Sequence, residues 1–193
     1  MPTRNAYIAT LGIFALTFAL QLASIFDPKW VVYRSSGPYY TEVSYGLFQK
    51  CSTLTDDCRR FPQKAYGDCD QDKESGRGMN MCTEWRIAAG AAVVASIVGL
   101  WIIAALTAVL YSGERWHASG WKHILGLVGV FGGLQVVSMG LIAHVAKTSP
   151  IFNYNHFGES FILTNISWIL ATALAVGVLL FARYNTRGYI ALE

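Results

Sequence analysis

The sequence predicts an all-α membrane protein: a four-helix transmembrane bundle with a small disulfide-stapled antiparallel β-sheet in its first extracellular loop. Three observations point there. Four stretches are long and apolar enough to cross a bilayer. The longest connection between them alternates as strands do. All four cysteines fall in that same connection.

Of 193 residues, 53% are hydrophobic and only 14% are charged, against about 25% charge in a typical soluble domain. A helix needs about 20 apolar residues to cross the hydrocarbon core. Spans 6–26, 87–111, 123–145 and 161–182 meet that length within a single domain, 1–193. The first two carry no charged residue, and the polar positions of the third are His123, Gln135 and His144. A chain this short cannot build a water-soluble shell around four such helices. The first span is longer than the apolar core of a signal peptide, about 7–15 residues. Asp27-Pro28-Lys29-Trp30 follows it with no small-x-small cleavage site, so it is read as a retained helix.

The loops are 27–86, 112–122 and 146–160, with a tail at 183–193. The termini and the short middle loop carry Arg4, Arg115, Lys122, Arg183 and Arg187 against Glu114 and Glu193. Dense Lys/Arg in short segments marks the cytoplasmic side, whereas long loops translocate largely regardless of charge. Both termini are therefore expected in the cytoplasm of a multi-pass plasma-membrane protein. The loops 27–86 and 146–160 are then exterior. The cysteines agree, because disulfides belong to oxidising compartments. Cys51, Cys58, Cys69 and Cys82 allow three pairings, of which Cys51–Cys58 with Cys69–Cys82 is favoured. None of the four lies in an expected helix. Their spacing lacks the short knuckle of a zinc site, and the acidic stretch 67–80 lacks EF-hand spacing.

Other function classes find little support. The net charge of +3 is small and forms no clustered basic face, so no nucleic-acid partner is expected. There is no G-x-S-x-G, HExxH or P-loop, so neither an enzyme nor a cofactor is expected. Membrane lipid is the one partner that composition itself names.

Within the first loop, Trp30-Val31-Val32-Tyr33 is β-branched and aromatic, and Gly37-Pro38 marks a turn. From Tyr39 to Phe48 the chain alternates, with Thr41, Val43, Tyr45 and Leu47 on one face. A Cys51–Cys58 bridge would staple the following turn into a further strand, 59–66. The order Trp30, Gly46-Leu47-Phe48-x-x-Cys51, Cys58, then Arg86 at the mouth of the second span, resembles the signature of the claudin superfamily. That superfamily includes the epithelial-membrane-protein and calcium-channel-gamma branches. The resemblance covers the whole chain in topology and about 30 residues in motif, and is similar in its divergence to an invertebrate, nematode Clc-like branch. Phe48 stands where the family has Trp, and Cys69 and Cys82 are additional. The Ile190-Ala191-Leu192-Glu193 end differs from the Tyr-Val tail that claudins offer to scaffold proteins.

The resemblance implies two alternative functions. One is assembly at cell–cell contacts or a paracellular barrier, through self-association or other claudin-like proteins. The other is service as an auxiliary subunit of an ion channel or receptor. The loop carries equal numbers of Lys/Arg and Asp/Glu, so its charge states no ion preference.

Individual residues carry structural expectations. Trp30 either anchors at the membrane interface or packs under the sheet. Gly46 allows a close backbone approach, and Leu47 covers the inner face of the sheet. Arg86 either snorkels from the apolar run or, as the resemblance implies, ties down the base of the loop. In the third span Gly126, Gly129 and Gly133 form a GxxxG-type face, matched by Ala171, Ala173, Ala175 and Gly177 in the fourth. Small residues let helices approach in lipid, and of the two readings, internal bundle packing and a dimer face, internal packing is the expected one. Gln135 is expected to hydrogen-bond a neighbouring helix rather than to conduct. The sequon at Asn165 falls inside a span, out of reach of glycosylation. The loop 149–157 is expected to expose Ile151, Phe152 and Phe157, either as an interaction site or in the membrane interface.

Overall fold

A computed structural model of the chain describes residues 4–35, 41–69, 80–111, 114–152 and 155–190. Four helices run through it: α1 (Arg4–Phe26), α2 (Met81–Tyr111), α3 (Glu114–Thr148) and α4 (Glu159–Ile190). Each contains a segment long and apolar enough to cross a membrane, and no more than 33% of any such segment is buried inside the protein. The remaining apolar surface includes Ile97, Leu100 and Trp101 on α2. A face of this size is costly in water and costs nothing against lipid.

The helices overrun the expected spans. Carbonyl acceptance at Asn80 starts α2 early: its oxygen takes the Thr83 and Glu84 N–H groups at 2.8 and 3.1 Å. This places Cys82 in the first turn of a helix, where no cysteine was expected. The connection 112–122 is mostly the first turns of α3, and α4 continues through the expected tail to Ile190. Apolar windows find the membrane part of a helix but not where its hydrogen-bonded turns stop.

The main helix contacts are α2 with α3 and α1 with α4. Phe14 of α1 meets Phe131 of α3 at 5.2 Å between ring centroids. The close approach between helices is at Gly99 of α2, where an added Cβ would lie 2.5 Å from the Phe18 ring. The expectation for α3 does not hold. Gly126, Gly129 and Gly133 lie on the exposed face, and a Cβ built on any of them meets nothing within 4 Å. Among the described residues they pack against no other helix. In lipid an outer helix face is as apolar as an inner one, so the GxxxG spacing alone does not say which face is buried. Gln135 is also different from expectation. It is fully buried, as is Gln21 of α1, yet among the described residues neither amide has a hydrogen-bond partner.

Five short strands form one sheet: β1 (Val31–Arg34), β2 (Glu42–Tyr45), β3 (Gln49–Ser52), β4 (Asp57–Arg60) and β5 (His156–Phe157). Their order is β4-β3-β2-β1-β5, and every pair is antiparallel. The register sets Cys58, Cys51, Ser44, Val32 and His156 side by side across the sheet. The next row is Arg59, Lys50, Tyr45, Val31 and Phe157. The expected strand 39–48 is shorter, because the chain turns at Gly46-Leu47-Phe48. There the Gly46 N–H donates to the Gln49 carbonyl at 2.8 Å. The expected strand 59–66 ends at Arg60, before Pro62, and a single 3₁₀ turn follows at Lys64–Tyr66. Gly37-Pro38 and Tyr39, and residues 70–79 of the acidic stretch, lie outside the described residues.

Candidate docking surface

The sheet is fastened to the bundle at its base by Trp30. This residue has no exposed surface. Its indole Nε1–H donates to the Ser24 carbonyl at the end of α1, at 2.7 Å. Its backbone N–H donates to Tyr45 of β2, and its carbonyl accepts from Gly158, both at 3.0 Å. Its ring meets Phe161 of α4 edge-on. Of the two readings of Trp30, packing under the sheet is therefore the observed one. Beside it, the buried Ser160 hydroxyl lies 2.9 Å from both the carbonyl and a carboxylate oxygen of Asp27. The Ser160 N–H donates to the Lys29 carbonyl at 3.1 Å. This corner is tight. A side chain at Gly158 would run into the Lys29 carbonyl, and one at Gly46 would sit 2.7 Å from Pro28 Cα. The close approach expected of Gly46 is real, but it is to the corner after α1 rather than within a strand.

Above that corner, four rings close a cycle. Tyr45 meets Phe61 at 5.3 Å and Phe152 at 5.0 Å; Trp85 meets the same two at 5.2 and 5.6 Å. These four come from β2, the segment after β4, α2 and the loop 146–160. Aromatic pairs at such distances add to area burial. Leu47 is buried beside them, as expected of it, and its carbonyl accepts the Trp85 indole N–H at 3.2 Å. Phe152 was expected to be exposed and is instead core, while Phe157 of the same loop is exposed. The sequence reading missed Phe61, Trp85, Gly158 and Ser160. The signal available was weak: an aromatic about one helical turn after Cys82 at Trp85, and a Gly-x-Ser step entering α4.

Two disulfides, Cys51–Cys58 and Cys69–Cys82, complete the fastening. The first joins β3 to β4 across one register position. The second ties the loop end to the first turn of α2. Between them, the Arg59 guanidinium donates to both Asp68 oxygens at 2.8 and 2.6 Å. The Gln63 N–H adds a third bond to Asp68 at 3.1 Å. Burial alone would raise the Asp68 carboxyl. These hydrogen bonds and the Arg59 charge outweigh it and hold the carboxyl below the usual carboxylate range.

What the sheet presents outward is different in kind. Leu54, in the β3–β4 turn, is 76% exposed; Phe48, at the other end of that hairpin, and Tyr66, over Arg59, are exposed too. β4 is an edge strand with exposed Asp57 and Arg60, and edge strands keep unpaired backbone groups. Arg86 is exposed and lines a groove below Phe48 with Arg60. Among the described residues no cluster of His, Cys, Asp and Glu could hold a metal ion. The geometry defines a four-helix membrane fold with a stapled sheet clamped across one end. No protein-family model matches the chain, and no curated protein matches its sequence.

Proposed function

We propose that the chain is a claudin-like plasma-membrane protein whose sheet faces the cell exterior and docks another membrane protein at cell contacts. A second copy or a claudin-like neighbour is the partner the resemblance favours. The observation that carries this reading is the contrast between the two sides of the sheet. Its inner side is held by Trp30, the aromatic cycle and two disulfides. Away from that clamp the sheet offers the exposed Leu54 at the β3–β4 turn and the β4 edge, with the exposed Tyr66 over Arg59 at its margin. A surface ordered before it meets a partner loses little entropy on binding, and an edge strand can extend into a partner's sheet.

A second reading is an auxiliary subunit of an ion channel or receptor. It is favoured by the outward glycine face of α3, where a foreign helix could approach closely. Expression of the chain alone in non-adhering cells separates the two. Enrichment at borders shared by two expressing cells is the expected result. Diffuse surface label together with co-purification of a channel would replace the first reading with the second.

A further inference from the structure

Below the sheet lies a groove of about 780 Å³, open to the side of the bundle. Its roof is the Leu47–Phe48 turn and the segment from Arg60 to Gln63; its floor is the start of α2. The residues that matter are Phe48, Arg60, Arg86, Gly90, Val93 and Val94. Two features make it unlike the rest of the surface. Arg60 and Arg86 are both exposed and, among the described residues, neither has a carboxylate partner, whereas the arginines Arg34 and Arg59 each have one. The floor, by contrast, is apolar and belongs to a membrane-length helix. It runs on from Val93 and Val94 to the exposed Ile97, Leu100 and Trp101, farther along α2.

We infer that this groove holds one glycerophospholipid from the leaflet on the sheet side. The headgroup phosphate lies between Arg60 and Arg86, and one acyl chain follows Gly90, Val93 and Val94 down α2. Charge and position support the assignment together. A guanidinium fork matches phosphate oxygens and forms charge-assisted hydrogen bonds with them. Two such groups stand where a headgroup would be, above an apolar track where its tail would be. Gly90 leaves the track open, since a Cβ built there meets nothing within 4 Å. Phe48 covers the outer side of the groove and remains half exposed, as a residue at the headgroup level does. The inference does not depend on what docks on the sheet.

The test is lipid retention by the purified full chain. The protein is loaded in detergent with phosphatidylglycerol, phosphatidylcholine or diacylglycerol, washed, and weighed by native mass spectrometry. The wild type is expected to keep one molecule of either phospholipid and no diacylglycerol, which lacks the phosphate. R60Q/R86Q is expected to reduce retention roughly thirtyfold, the loss for two basic residues at a lipid headgroup. Gly90→Leu, which fills open space rather than core, is expected to abolish retention while both disulfides and the helix content stay intact. R86K separates a fork from a point charge and should retain less than wild type. Equal retention by wild type and R60Q/R86Q, or diacylglycerol retained as well as phospholipid, overturns the inference. So does a wild-type groove that keeps no lipid but binds an acidic peptide through the same two arginines.

Discussion

Asp68 is a surface-loop carboxylate by sequence and an anchor by structure. It accepts from Arg59 twice and from the Gln63 N–H once, so the ionised form is the one the fold selects. Because its carboxyl is held low, the unfolded chain, with a carboxyl near 3.9, binds its proton first as pH falls. The stabilisation is therefore complete above about pH 4 and is lost as pH drops through the lower folded value. Amide exchange across 59–69, corrected for the intrinsic rate, should show constant protection from pH 7 to 5 and a loss below about pH 3.9. Asp68→Asn should lack that protection at every pH. Equal protection in wild type and D68N at pH 7 would contradict this account. Trp30 illustrates what a sequence leaves open at this scale. An aromatic three residues past a span fits either an interface belt or a core. Only the indole bond to Ser24 and the contact with Phe161 decide it.

The helices were the legible elements, because length and apolarity alone are diagnostic in a bilayer. Their faces were not. Gly129 carries the better packing motif, but Gly99 is where a neighbouring ring sits. This difference is measurable. Gly99→Ala should destabilise the bundle by about 1–3 kcal/mol through overpacking. Gly129→Ala should stay within about 0.5 kcal/mol of wild type. Unfolding of both variants in detergent micelles checks this; a larger cost at Gly129 than at Gly99 would contradict the described packing. Among the strands, β1 was visible from its β-branched run. The break between β2 and β3 was hidden because the alternation continues through Leu47, which turns inward at a corner instead of along a strand. β5 has two residues, too few for any periodic signal. It exists because Gly158 allows the loop 146–160 to lie against Trp30.

At the scale of the whole molecule, the two cysteine pairs and the small sheet could be anticipated because oxidised cysteines and strand patterns are local signals. The aromatic cycle could not. Tyr45, Phe61, Trp85 and Phe152 are brought together from four separate parts of the chain. That convergence makes the sheet one block with the end of the bundle, while the helix flanks face lipid. The proposed function sits on the block rather than on the flanks. The most direct test installs a photo-crosslinking side chain at Leu54 or Tyr66 on the sheet, and at Leu100 or Gly129 on the helix flanks, in living cells. The account predicts protein adducts from Leu54 and Tyr66 and lipid-only adducts from the other two. Protein adducts confined to Leu100 or Gly129 would contradict it and move the docking surface into the membrane.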